Sequence, residues 1–173
     1  MIIDSPESHF IFVFHPSTLD GKKYTIYEGK ELSNGEVLTY WGKWLVLGTE
    51  ERINELAYLL DPFVEDQKIP CIKYDRVPSK NLGIEERVLM VYCDRRERDD
   101  IWKILKGFGA KMKIWVTEKE TMELWVPGGL LLERWLDTKN LDRLTKIVAR
   151  ENAGAKIQYI FDHPDEIYEG WVQ

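Results

Sequence analysis

The feature that most limits what this chain can fold into is a pattern that occurs twice in succession: an apolar strand, an amphipathic helix and a second apolar strand. Gly42 to Leu47 (GKWLVL) reads as a strand. Thr49 then stands as N-cap before Ile53, Leu56, Ala57 and Leu60, which recur at helical spacing until Pro62 marks an end. Ile69 to Tyr74 (IPCIKY) is the next strand, followed by a polar loop from Arg76 to Glu86. The order returns with the strand Val88 to Cys93 (VLMVYC), a helix sketched by Asp99, Ile101, Ile104, Leu105 and Phe108 and closed by Gly107 and Gly109, and the strand Lys113 to Thr117. Two such units predict a mixed α/β (α+β) domain, a sheet with helices layered on one face.

Around these units the signals are weaker. His9 to His15 (HFIFVFH) alternates phenylalanines 10, 12 and 14 with Ile11 and Val13, so both faces are expected to be buried and the strand to be central. Pro16 to Asn34 is turn-rich, with Asp20-Gly21 and Asn34-Gly35 as turn signals and a short strand or hairpin at Tyr24 to Tyr27. A third helix is expected over roughly 137–151, with Leu141, Leu144, Ile147 and Val148 on one side and a stop at Asn152-Ala153-Gly154. A last strand, Lys156 to Phe161, would follow. With no linker or low-complexity stretch, residues 1–173 read as a single domain.

Composition narrows the function classes. The chain is 44% hydrophobic and 31% charged, with a net charge of -6, which fits neither disorder nor a membrane span. Its longest apolar runs, Phe10 to Phe14 and Gly128 to Leu132, are far shorter than the roughly 20 residues a spanning helix needs. The start MIIDSPESHF lacks a basic n-region and an apolar core, so a cytoplasmic location is expected. Cys71 and Cys93, each in an apolar strand, are expected to be buried free thiols. Three glutamines and five asparagines beside many Glu and Lys point to a heat-adapted prokaryotic source. The acidic balance argues against general affinity for nucleic acid but leaves room for a local basic groove.

Little in the chain has the form of a reaction centre. His15 ends the first long strand, where it could serve as a base, but no second histidine stands at ligand spacing: His9 is too far along the strand and His163 lies in a C-terminal loop. No metal and no cofactor are expected. Asp162, Asp165 and Glu166, like Glu118, Glu120 and Glu123, read chiefly as solvated acidic faces. There is no GxSxG elbow and no phosphate loop, and Val126-Pro127-Gly128-Gly129 is a turn. The stretch Arg95 to Lys113 holds seven basic and three acidic residues, a local +4, with Arg95 and Arg96 in the loop after a strand, where ligand sites often lie. Of seven tryptophans, Trp44 and Trp115 fall inside strands and belong to the core. Trp41, just before its strand, is expected to be exposed and to offer a stacking face, with Lys43 at hand for a phosphate.

The order of units resembles the fold of the cap-binding translation initiation factors, and more nearly a group of shortened relatives of them. The resemblance is carried by GKWLVL with its helix, by Cys71-Ile72-Lys73-Tyr74, by Val88 to Asp94 with its helix, and by Lys113 to Trp125, about half of the chain. It implies a single curved, largely antiparallel sheet with about three helices on its convex face and a ligand surface on the concave side. In that family two loop tryptophans sandwich a methylated base, an acidic side chain reads its edge and basic residues hold the phosphates. Trp41 lies where the first tryptophan would be; the loop after Tyr74 (DRVPSKNLGIEE) contains none, so the second has no counterpart. The resemblance therefore implies an anion-binding face built from Lys43, Lys73, Arg76 and Lys80 rather than a base sandwich.

The leading expectation is a non-catalytic binding domain for a nucleotide, RNA or other phosphate-bearing ligand, through Trp41, Lys43, Lys73, Arg76, Lys80, Arg95 and Arg96. The alternative is a protein–protein interaction module working through an apolar patch; third is a small-molecule enzyme using His15 or the Asp162 to Glu166 carboxylates.

Overall fold

The computed structural model describes residues 1–171. In chain order the elements are β1 (Ile2–Ile3), β2 (Phe10–Phe14), α1 (Pro16–Leu19), β3 (Ile26–Tyr27), β4 (Lys30–Glu31), α2 (Asn34–Tyr40), β5 (Trp41–Gly48), α3 (Glu50–Glu65), β6 (Cys71–Asp75), a 3-10 turn at Lys80–Leu82, β7 (Arg87–Asp94), α4 (Arg98–Gly107), β8 (Ile114–Thr117), α5 (Glu118–Leu124), α6 (Leu130–Thr138) and α7 (Arg143–Asp162). Six strands form one antiparallel sheet in the order β1-β2-β6-β7-β5-β8, and β3 and β4 make a separate hairpin. The fold is thus α+β with a largely antiparallel sheet, and both strand–helix–strand units are present.

One face of the sheet carries the main core. Period-2 alternation puts Trp44 and Val46 of β5, Ile72 and Tyr74 of β6, Leu89, Val91 and Cys93 of β7 and Ile11 and Val13 of β2 on the same side, where they meet Ile53, Leu56, Ala57, Leu60 and Val64 of α3 and Ile101 and Leu105 of α4. Trp44 pins this layer. Its indole N–H donates to the Arg98 carbonyl at 2.9 Å, and its ring lies 5.0 Å from Trp102 of α4 and 5.2 Å from Trp115 of β8. α3 begins as its residues require, with the Thr49 hydroxyl accepting from Arg52 N–H at 3.3 Å.

The other face is covered only in part. α2, α5 and α7 gather a second cluster, Leu32, Val37, Trp41, Met122, Ile157, Ile160 and Tyr168, over the β5–β8 side. Helices therefore lie on both faces, not on one as expected. α2 begins at the Asn34-Gly35 pair that reads as a turn, because Ser33 and Glu36 form a capping box around its first residues. Pro62 sits inside α3, which runs on to Glu65.

The expected strand Lys156 to Phe161 is helical. α7 runs unbroken through Asn152-Ala153-Gly154, and Ile157 and Ile160, three apart on one helix face, are the buried residues of a run that by composition suits a strand. Gly154 does not end the helix. An added Cβ there would lie 3.0 Å from the Pro127 ring, so the glycine lets the turn before α6 press against α7.

None of the described helices is long and apolar enough to cross a membrane. Cys71 and Cys93 are free and buried, and burial raises both thiols above their ordinary range.

Gly42 shows how closely β5 and β8 are fitted. A Cβ added there would stand 2.4 Å from Trp115 Cζ2 and 2.8 Å from the Val116 carbonyl oxygen. Gly42→Ala is expected to cost about 2 kcal/mol or more, read as a lowered urea midpoint with an unchanged m-value.

Candidate functional site

The half-covered face is built by the residues that alternate with the core. Across the sheet they form two rows. One runs Phe14, Cys71, Tyr92, Lys43, Val116; the next runs Phe12, Lys73, Met90, Leu45, Ile114. In the first row Cys71 and Lys43 are buried, whereas every member of the second is only partly buried. α3 packs beneath β2 and β6, on the core side. Phe10, Phe12, Phe14 and Met90 belong to neither hydrophobic cluster.

The aromatic side chains of this face touch one another. Phe12 and Phe14 stack at 5.2 Å, Phe14 stacks on Tyr24 at 5.4 Å, and Phe10 meets Phe12 edge-on at 6.4 Å. Tyr24 keeps 36% of its surface exposed, yet its phenol is raised well above the ordinary range, first by burial and then by the Cys71 and Glu118 side chains.

Two lysines share the face, and they are treated differently. Lys43, 6% exposed, reaches Glu118 Oε2 at 3.4 Å and lies 5.2 Å from the Tyr92 ring centre. The other Glu118 oxygen accepts from Trp171 Nε1–H at 3.1 Å, so one carboxylate ties β5 to α5 and to the C-terminal segment. Lys73 has no such partner. Its ammonium lies 3.7 Å from the Phe10 ring centre, and no carboxylate among the described residues comes within 4.0 Å of it. Burial, and secondarily the charge of Lys43, lower its pKa from 10.5 to about 8. Asp75, further along β6, accepts from Val88 N–H at 3.2 Å and is itself pushed up by burial.

The other expected site residues fall elsewhere. Trp41 is 2% exposed, packed within the second cluster, and offers no ring face to a ligand: the strand begins at Trp41 itself, so the residue is drawn under α2 and α7 rather than left in a loop. Arg76 follows β6 at the end of the sheet where β7 begins. It donates from Nε to the Ser8 carbonyl at 2.9 Å and pairs with Asp4. Lys80 is exposed in the 3-10 turn. Arg95 and Arg96 follow β7, so the antiparallel register carries them to the opposite end from Arg76. Arg96 is committed: it grips both oxygens of the buried Asp94 at 2.9 and 2.8 Å and lies between the rings of Tyr27 and Tyr40, at 3.7 and 3.8 Å. Of the seven expected residues, Trp41, Lys43 and Lys73 share this face, with Trp41 buried in the second cluster and the two lysines on strands separated by β7.

The groups of the enzyme reading are dispersed too. His15 Nδ1 faces Ser17 Oγ at 2.7 Å and accepts from Ser17 N–H, capping α1. Asp162 accepts from Gln158, and Glu166 from the Tyr159 hydroxyl. Sequence reasoning read Glu118 as part of a solvated acidic face, whereas it is 7% exposed, and it did not single out Phe10, Phe12, Tyr24 or Met90 as site residues. The alternation in β2 carried the signal for the phenylalanines, which were expected to be covered on both sides. No family model, curated protein sequence or solved structure matches the chain.

Lys73 should weaken the fold. Its pKa in the folded chain, about 8, lies below its unfolded value of 10.5, so between those values the unfolded chain holds the extra proton and stability rises with pH. Below pH 8 the cost is present in full. Lys73→Met is expected to stabilise the protein by about 1–2 kcal/mol at neutral pH, allowing for partial exposure, with a gain that shrinks as pH approaches 10.5, measured by urea unfolding across pH.

Proposed function

We propose that the chain is a non-catalytic binding domain for a phosphate-bearing ligand with a planar base, a nucleotide or a short RNA segment, held on the half-covered sheet face. The base stacks beside Phe12 and Phe10, and the phosphate meets the ammonium of Lys73, with Lys43 behind it. The observation that carries this reading is the partly exposed row Phe12, Lys73, Met90, Leu45, Ile114, in which a lysine sits desolvated on aromatic surface with no carboxylate among the described residues paired to it.

A desolvated, unpaired ammonium costs stability, and such groups mark ligand sites more often than arbitrary surface. Aromatic rings on an uncovered antiparallel sheet are a known platform for stacking bases. The proposal includes a fold similar to that of the cap-binding initiation factors, supported by the helices α3 and α4 behind the sheet and an aromatic and basic face in front. It does not include their tryptophan sandwich, since Trp41 is buried.

A specific observation favours a second reading. The first half of α7 leaves Leu144, Ile147 and Val148 exposed at 71, 40 and 46%, an apolar strip at helical spacing. A mass that rises with protein concentration, abolished by Leu144→Lys, would move the function to that surface.

The two readings part in a ligand titration. Nucleotides and short oligoribonucleotides at low salt are expected to raise the melting temperature saturably, with inorganic phosphate weaker. Phe12→Leu should weaken nucleotide but not phosphate binding, by roughly 5-fold or more. Because Lys73 loses its proton near pH 8, affinity should fall by up to about 10-fold from pH 7 to pH 9. A melting temperature indifferent to every one of these ligands would remove the proposal.

A further inference from the structure

Away from the sheet face, three of the seven tryptophans converge. Trp125, at the end of α5, lies 6.3 Å from Trp135 of α6 and 6.3 Å from Trp171, with interplanar angles of 61° and 53°. The three rings wall a cavity of about 120 Å³ whose floor is α7 at Ala149 and Ala153. The space exists because both floor residues are alanine; longer side chains on that helix face would fill it. Its walls are also fixed, since the Trp171 N–H is held by Glu118 and α6 is clamped to α7 by a two-oxygen grip of Arg150 on Glu133.

The volume approaches that of a dry cavity which takes up benzene, about 150 Å³. The lining contains two polar side chains, Asn152 and Lys156, and no carboxylate. Lys156 is exposed, has no carboxylate within 4.0 Å among the described residues, and also lines a neighbouring cleft of about 430 Å³ against α2. Ring walls alone would suit a cationic guest, but the chemistry of the rim opposes it: the charged side chain in the lining is Lys156, and Trp135 already has the Lys139 ammonium 5.4 Å from its ring centre. An anion on a benzene-sized ring suits both the walls and the rim.

We propose that this cavity binds a small aromatic carboxylate, its ring among Trp125, Trp135 and Trp171 and its carboxylate on Lys156 Nζ with help from the Asn152 amide. The proposal does not depend on the sheet-face reading, because the two sites lie on different elements and take different probes.

The test uses the full chain and its own tryptophan fluorescence, titrated with phenylacetate, acetate and benzylamine. Phenylacetate should give saturable quenching with Kd about 1 mM or below, as fits a ligand of this few atoms. Acetate should give none, and benzylamine should bind more weakly than phenylacetate. Lys156→Gln, on an exposed position that leaves the fold intact, should weaken phenylacetate about 10-fold. Ala153→Leu should abolish the response, with circular dichroism reporting whether that variant is folded. No saturable quenching by phenylacetate, equal affinity in the Lys156 variant, or tighter binding of benzylamine would each overturn the proposal.

Discussion

On one face of this sheet two ammonium groups, Lys43 and Lys73, lie near the carboxylates of Glu118 and Asp75, and among the described residues Lys43–Glu118 is the pair that closes to within 4.0 Å. Glu118 is close enough to pair with Lys43, and its second oxygen is already taken by the Trp171 indole. The pairing fixes more than itself: α5 lies over β5 and β8, Trp171 returns to α5, and Lys73 is left on aromatic surface with no carboxylate among the described residues within 4.0 Å. A buried ion pair of this kind is weak evidence for stability, because desolvation offsets most of the attraction. Its consequence here is arrangement, a covered side of the face and an open side with one ammonium that an incoming anion can satisfy.

The strand register makes that division possible. Odd and even residues of β5 face different layers: Trp44 and Val46 enter the core under α3 and α4, while Trp41 and Lys43 enter the smaller layer under α2, α5 and α7. A slip of one residue would bury Lys43 among the aliphatic residues of α3 and expose Trp44. The close approach of Gly42 to Trp115 and the Trp44–Arg98 hydrogen bond both hold the register on the core face of the strand. The tryptophan cavity opens where α5, α6, α7 and Trp171 meet and Ala149 and Ala153 leave room.

The two strand–helix–strand units were legible in the sequence because each strand buries an apolar face and each helix carries its apolar residues at helical spacing, a signal that needs no tertiary information. α7 was misread in its second half because Ile157 to Phe161 is β-branched and aromatic, and only contact with α2 makes a helix bury Ile157 and Ile160. α2 was misread because Asn34-Gly35 is a strong turn signal, although Ser33 and Glu36 already spelled a capping box. Trp41 was placed outside its strand by one residue, and that residue decides whether the ring is free or buried. The basic residues looked like one set in the sequence; antiparallel pairing sends Arg76 and Arg96 to opposite ends, each to its own acidic partner.

Amide chemical-shift mapping of the isotope-labelled protein with a mononucleotide tests most directly whether the row through Lys73 is a ligand surface. The predicted result is a set of saturable shifts at Phe10, Phe12, Lys73, Met90 and Leu45, with the core beneath α3 unmoved. Shifts confined to α7 and the loops beside it, or none at all, would contradict the account.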